Sequence, residues 1–423
     1  MESKIVLKKN QKYIIDEGKL KTGNWQGCGS GKTLTHLMMS EGTTLVITPK
    51  NLYEQGRWYE ERDKFGMDHL TIKQVSKEIF KNKEKVSKLP QVDTVIVDEA
   101  HHFFGWYVTG KMSNTLQNFF YYIRRNPPKR LFLLTATPIG NTDPMKLYSI
   151  ARILGHEWDF EKFRDKYYWS YKNPKGCGRI YKKRDTKELN ERVMELLRTF
   201  GYVGSIFDFE DVPEQTEIVK YFGLTVNQKK QIKENDRALH RSIENGRLFK
   251  KEIIQISEKE EQVIYHPYYE HTEKDDCILE LAQQFSKMVI YANYTLQVEH
   301  IANMLKKEGY KVFTLTGKTK DRTPFTKEGE ANTTEKCICV IQSSISDGYD
   351  LNTFRVRINA SFSNKSRDYI QLKGRNLRTD NLQKNLGIAL VIKGGEDERC
   401  YESIIKNTDF NEKALSVGKV EEE

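Results

Sequence analysis

The sequence is short of the features that mark metal-bound, membrane and secreted proteins. Its six cysteines, Cys28, Cys177, Cys277, Cys337, Cys339 and Cys400, form no C-x-x-C pair. That argues against a zinc site and leaves reduced thiols as the default. Cys337 and Cys339 stand two apart on an expected strand, so both face one side of it as small core residues. No apolar run is long enough to cross a bilayer, and Met1-Glu2-Ser3-Lys4 lacks the apolar stretch of a secretion signal. No internal repeat is present. The expectation is a soluble, cytoplasmic protein. Acidic residues are the scarcer charge: 69 Lys and Arg against 59 Asp and Glu leave a net charge of +10. The excess points to an anionic partner, with nucleic acid the first candidate. The 423 residues suffice for two or three domains with proper cores.

What the chain does have is a phosphate-loop pattern, Gln26-Gly27-Cys28-Gly29-Ser30-Gly31-Lys32-Thr33, opening a helical stretch. Gly27, Gly29 and Gly31, with Ser30, let backbone N–H groups close around phosphates. Lys32 adds a full charge, and the Thr33 hydroxyl suits Mg²⁺. The general pattern has Gly where this chain has Gln26. Short apolar β-branched runs follow at Thr43–Thr48, Gln91–Val97 and Arg130–Leu134, each reading as a buried parallel strand. Helical spacing appears at Ile5–Glu17 and Asn51–Phe65. Strands alternating with helices argue for a doubly wound parallel sheet, whose ligands bind at the carboxyl ends of the strands. Residues 155–280 change character, with mixed aromatics and charges and long helical charge patterns, and only Glu217–Phe222 reads as a strand. The α/β rhythm returns with strands at Met288–Tyr291, Lys311–Leu315, Cys337–Gln342, Arg355–Ile358 and Ile388–Ile392, and helices at Thr295–Glu308 and near Ser366–Leu377. The expected domains are 1–154, an accessory region 155–280, 281–395, and a C-terminal helix with a charged tail, 396–423.

Asp98 and Glu99 fall just past an apolar strand, where carboxylates can be held rigidly in a polar cleft. Nucleotide hydrolysis needs one carboxylate on the metal shell and one to polarise the attacking water. His101 is the better fit to a coupling role with Thr135-Ala136-Thr137, and His102 to a structural one. Gln371, Arg375 and Arg378 share one face of an expected helix. Two guanidiniums and an amide suit a γ-phosphate, or equally a basic surface for nucleic acid.

Five segments occur in order: Gly29-Ser30-Gly31-Lys32-Thr33, Asp98-Glu99-Ala100-His101, Leu134-Thr135-Ala136-Thr137-Pro138, Ser346-Asp347-Gly348-Tyr349-Asp350-Leu351 and Gln371-x-x-Gly374-Arg375-x-x-Arg378. Together they resemble motifs of the superfamily 2 helicases and translocases, a DEAH-type set spanning most of residues 10–395. The resemblance implies an α/β fold of two RecA-like doubly wound parallel-sheet domains joined by a mainly helical accessory region. It implies ATP and Mg²⁺ as the working ligands, with Lys32 and Thr33 on phosphate and metal, Asp98 on the metal and Glu99 as general base. Arg375 and Arg378 become arginine fingers. Gln11 reads adenine, and Gln371 joins the ATP set. Gly348 and Asp350 link the ATP cleft to the nucleic-acid track. Thr48, Pro49 and Lys50, with Thr316, Gly317, Lys318 and Ser343, are candidates to follow nucleic-acid phosphates. Asn141, Phe163–Tyr168, Leu189–Leu197, Val212-Pro213-Glu214 and Leu224–Gln228, with Pro49–Leu52, Arg57-Trp58 and Glu61 before them, resemble Swi/Snf-type DNA translocases, although Thr135-Ala136-Thr137-Pro138 stands where that group often has Thr-Gly-Thr-Pro. The short chain also looks like a phage- or virus-encoded member. The implied activity is an ATP-driven motor on DNA in replication, recombination or repair. An RNA helicase, or a nucleotide-gated clamp or loader with little turnover, stays open.

Overall fold

The computed structural model of the chain describes residues 5, 7–27, 29–139, 143–173, 178–204, 215–226, 229–230, 272–326, 328–345, 349, 351, 353–362, 369, 372, 384–394 and 396–415. Contacts divide the chain into two units, 1–211 with 409–423, and 212–408. No helix among the described residues is long and apolar enough to cross a membrane.

The first unit is built on six strands: β1 (Lys21–Asn24), β2 (Thr43–Thr48), β3 (Thr71–Ser76), β4 (Thr94–Asp98), β5 (Arg130–Leu134) and, past a separate hairpin of β6 (Tyr168–Lys172) and β7 (Arg179–Lys183), β8 (Gly201–Tyr202). They lie in the order β3-β2-β4-β5-β1-β8, and every pairing in the sheet is parallel. Alternate side chains feed two separate cores. Leu45, Ile47, Val95, Val97, Leu131 and Leu133 go to one face; Val46, Ile96, Phe132 and Leu134 go to the other. A strand buried on both faces has no polar side, which is why these runs are continuously apolar.

Five strands escape the sequence pattern, β1, β3, β6, β7 and β8. β1 is polar and four residues long, and Gly23 within it is required by close approach: a Cβ there would lie 1.8 Å from the Trp25 ring. β3 alternates with polar residues, and its buried Gln74 donates to Leu52 O at 2.9 Å. The expected helix over 51–65 divides into Lys50–Glu54 and Arg57–Lys64, with Gly56 between them at φ 65°. Residues 155–204, expected in a region of their own, pack on the first unit. Phe163, Tyr167, Val193, Leu197 and Phe200 join the core that holds Leu131 and Leu133.

In the second unit β9 (Gln215–Phe222), β10 (Lys287–Ala292), β11 (Val312–Leu315), β12 (Cys337–Gln342), β13 (Val356–Asn359) and β14 (Asn385–Ile392) form a parallel sheet ordered β11-β12-β10-β13-β14-β9. Helices Glu273–Gln284 and Thr295–Lys307 cover one face, packing Ile278, Leu281, Val298 and Ile301 against Ile290, Val340 and Ile358. Cys337 and Cys339 are buried in the core on the opposite face. Arg357, Gly387 and Glu217 stand in one row across β13, β14 and β9. The buried Arg357 guanidinium pairs with Glu217 over the glycine. A Cβ at 387 would lie 2.1 Å from Glu217 Oε2 and 2.7 Å from Arg357 Nη2.

Two stability predictions come from this packing. Gly387→Ala should push the Arg357–Glu217 pair apart and lower the stability of the second unit by about 1–3 kcal/mol. Urea denaturation of the full chain reads this, and an unmoved midpoint would mean the pair has room elsewhere. The second concerns His36 on the helix Lys32–Met38, which is fully buried against Phe132 with ring centroids 5.0 Å apart. Its Nδ1–H donates to Lys32 O at 2.9 Å, while burial pushes the imidazole pKa down to about 4. An unfolded histidine titrates near 6.5, so as pH falls the unfolded chain takes up the proton first. The contribution of the neutral ring is complete above about pH 6.5 and is lost as pH falls toward 4, by up to about 3 kcal/mol. His36→Leu should flatten that part of the pH dependence, measured as melting temperature at pH 7 and pH 5.

Candidate nucleotide site

Parallel pairing fixes where the motifs of the first unit emerge. Leu134 at the end of β5 pairs with Asn24 at the end of β1 and with Asp98 at the end of β4. The phosphate loop, Glu99 and Thr135 therefore leave the sheet at one level, at its carboxyl edge. Trp25 anchors the start of the loop: its N–H donates to Tyr202 O at 2.8 Å and its indole Nε1 to Leu197 O at 3.1 Å. Gly27 N donates to Gly204 O at 3.0 Å.

Gly29 and Gly31 both take φ of 80°, a region other side chains rarely enter, and Gly31 caps the helix that begins at Lys32. The first turn of that helix offers backbone N–H groups and partial positive charge. The Lys32 ammonium donates to Gln26 O at 2.7 Å and to Gly27 O at 2.9 Å. It thus lies across the loop, held by two carbonyls. Ser30 Oγ is buried without a hydrogen-bond partner. Gln11, expected at adenine, is buried behind the loop, accepting from Lys8 N at 2.9 Å and donating to Gly31 O at 3.1 Å.

Glu99 is the one residue other than glycine with positive φ among the described residues, at φ 49° and ψ 50°. Strain of this kind concentrates at functional sites and costs about 1–3 kcal/mol. Its Oε2 accepts from Thr135 Oγ1 at 3.3 Å and lies 3.3 Å from His101 Nδ1, which is itself 3.0 Å from Thr135 Oγ1. Thr137 N donates to Thr135 Oγ1 at 3.1 Å. The carboxylate, the imidazole and the segment after β5 are one hydrogen-bonded group. Asp98 accepts from Glu99 N at 3.0 Å and from Trp58 Nε1 at 3.1 Å. Its pKa is pushed up to about 6, first by desolvation and then by the neighbouring Glu99 charge, against the opposing pull of the Trp58 hydrogen bond, Arg57 and Lys32.

The donor set suits a hard cation. Among the described residues no group of three or more His, Cys, Asp or Glu could hold a metal. Mg²⁺ needs no such cage, because it keeps waters and takes one or two carboxylates together with substrate phosphates. Asp98 and Thr33 would supply the protein oxygens.

Two contributors lie outside the site residues expected from the sequence. Asn10 Nδ2 bridges Gln26 Oε1 at 2.9 Å and Ser30 O at 3.0 Å, tying the two ends of the loop together. This gives Gln26, the departure from the general pattern, a partner of its own. Trp58 reaches Asp98 from 40 residues away.

The expected phosphate-tracking residues divide by exposure. In the first unit Thr48 and Pro49 are buried, Thr48 Oγ1 accepting from Gln74 Nε2 at 3.3 Å, while the Lys50 side chain is exposed. In the second unit Gly317 and Lys318 are exposed after β11, and Thr316 is buried. Gln342 gathers this end of the sheet, accepting from Gly317 N at 3.1 Å and donating to Asn293 O at 3.3 Å. Ser343 N donates to Ala292 O at 2.8 Å, and its hydroxyl is buried without a partner. Gly348, Asp350, Gln371, Arg375 and Arg378 lie outside the described residues, as does most of the helix expected near 366–377.

Residues 273–380 match the helicase conserved C-terminal domain family. No curated protein matches the chain significantly. The helicase domain of Hef from Pyrococcus furiosus, known from a crystal structure, is similar with a TM-score of 0.51. That likeness covers 94% of this chain and 98% of the other at 15% identity. It establishes the fold: this chain is built of two RecA-like α/β domains, the second of which carries the helicase C-terminal match.

Proposed function

We propose that the chain is an ATP-hydrolysing nucleic-acid motor that moves on or unwinds DNA. The observation that carries this reading is the common level at which β1, β4 and β5 end, which gathers Lys32, Asp98, Glu99 and Thr135 at one edge of one sheet. Loop N–H groups and Lys32 would take the phosphates. The two carbonyls now holding Lys32 are replaceable by phosphate oxygens, which accept more strongly. A bound Mg²⁺ would neutralise charge developing on the phosphates. Glu99 would orient and deprotonate the attacking water, and its contact with Thr135 and His101 offers a path by which hydrolysis is felt beyond the site.

Arg375 and Arg378 are assigned to transition-state charge, with Gln371, Gly348 and Asp350 in the same ATP set. The helicase C-terminal match, which spans all five positions, supports that assignment. Lys50 and Lys318 are the exposed cations suited to nucleic-acid phosphates, with Thr48, Pro49, Thr316, Gly317 and Ser343 beside them as the other candidates. The name of the Hef helicase domain favours a helicase. The text after Pro138 favours duplex translocation of the Swi/Snf kind.

The deciding experiment is the ATPase rate with single-stranded DNA, duplex DNA, forked DNA and RNA side by side. Stimulation by one of the DNA forms is expected. Stimulation by RNA alone would make the chain an RNA helicase, and indifference to all four would end the motor reading. Within that assay Glu99→Gln should keep ATP binding while turnover falls by about 10²–10⁴-fold. Lys32→Ala should instead weaken binding of a fluorescent ATP analogue. Near-wild-type hydrolysis in Glu99→Gln would remove Glu99 from the mechanism. DNA affinity should also fall by roughly three to five decades between about 50 and 200 mM salt if about 6–10 phosphates are contacted. Salt-insensitive binding would point to a site-specific reader.

A further inference from the structure

The antiparallel hairpin of β6 and β7 is hydrogen-bonded to neither parallel sheet, and the side chains of one of its faces are exposed. Its register pairs Tyr168 with Lys183, Trp169 with Lys182, Ser170 with Tyr181 and Tyr171 with Ile180. Period-two alternation then sorts the side chains. The inner face carries Tyr168, whose hydroxyl donates to Asp143 Oδ1 at 2.8 Å and whose ring packs on the first core, and Tyr181, beneath the Arg164 guanidinium at 5.4 Å. The outer face carries Trp169, Tyr171, Ile180 and Lys182. Trp169 is 58% exposed and Tyr171 50%, although Trp25 and Trp58 are fully buried in the same unit.

Exposed aromatic rings alone would fit many partners, but the charge around these rings narrows the choice. Among residues 167–173 and 178–184 there are five cations, Lys172, Arg179, Lys182, Lys183 and Arg184, and no carboxylate. Lys183 is paired with Asp185 at 3.3 Å. Arg184 lies with its guanidinium 3.5 Å from the Trp169 ring centroid, a cation–π contact on one face of an indole that is more than half exposed. Flat rings standing out among cations are the equipment for stacking bases while neutralising phosphates. Bases in a duplex have their faces covered by one another, so rings of this kind are available only to unpaired ones.

We propose that the outer face of the β6–β7 hairpin is a stacking platform for unpaired bases of a nucleic-acid strand, with Trp169 and Tyr171 as the rings and Lys182 and Arg184 as the flanking cations. This rests on the reading of the chain as a protein that acts on nucleic acid and adds to it a contact outside the strand-end loops. Binding there should tolerate any base sequence, since every base has a π-face.

The test uses the full chain with a labelled oligothymidylate and with a blunt duplex of the same length. Trp169→Ala and Tyr171→Ala should each weaken oligothymidylate binding by about 10- to 100-fold. Duplex binding should change far less, with the melting temperature unmoved because both rings are exposed. Lys182→Glu, which leaves the rings intact, should weaken binding and lower the slope of log affinity against log salt. Base stacking should quench tryptophan emission, and Trp169→Phe should abolish most of that quench while keeping most of the affinity. Equal losses for single strand and duplex would overturn the stacking assignment. So would oligothymidylate binding by Trp169→Ala as tight as by the wild type, in which case the motor reading stands. If the wild-type protein binds neither nucleic acid, the motor reading fails and this one with it.

Discussion

The register of the first parallel sheet is the constraint on which the candidate site depends. Asn24, Leu134 and Asp98 lie in one row, so three chain segments that are remote in sequence leave the sheet together. Burial enforces the row. A slip of one residue in any of these strands would turn Val95, Val97, Leu131 and Leu133 away from their core and send Ile96 and Phe132 into it. The hydrophobic pattern that makes the sheet therefore also sets the height of the phosphate loop relative to Asp98 and Glu99. The geometry of the candidate site is a by-product of core packing, sharpened by local hydrogen bonds such as Asn10 to Gln26 and Trp58 to Asp98.

Those local bonds explain why parts of the site are legible in the sequence and others are not. Lys32, Asp98 and Glu99 announce themselves because each belongs to a short contiguous pattern beside an apolar strand. Asn10 and Trp58 belong to none of the five ordered motifs. Each acts on a residue that only folding brings close, and one Asn or Trp looks like any other along the chain. The same division holds for the fold. Thr43–Thr48, Arg130–Leu134 and Cys337–Gln342 read as strands because burial on both faces leaves no polar residue to interrupt them. β1 does not, being polar, four residues long and dependent on the Trp25 ring lying over Gly23. The hairpin of β6 and β7 shows only as mingled aromatics and charges, since one face is packed and the other is open.

The two units use the same architecture to different ends. In the first, glycine at Gly29 and Gly31 frees the backbone to present N–H groups; in the second, Gly387 clears space within a strand for the Arg357–Glu217 pair. That pair spans β13, β14 and β9, and so ties the edge strand β9, which precedes the rest of the second sheet in the chain, to strands more than a hundred residues later. A mispaired β9 would leave a buried guanidinium without its carboxylate, a cost that weighs against other registers.

The backbone at Glu99 has a consequence for how this chain can change over time. A glycine there would relax the left-handed conformation at once, so selection for stability alone pushes against the glutamate. On the proposed reading, a demand for the carboxylate itself keeps it in place. Copies of this gene released from that demand would be expected to drift at position 99 before they drift in the surrounding strands, which the cores hold fast on both faces. On the proposed reading, the identity of that one residue would mark whether a related chain keeps the carboxylate for hydrolysis or survives as a folded relic.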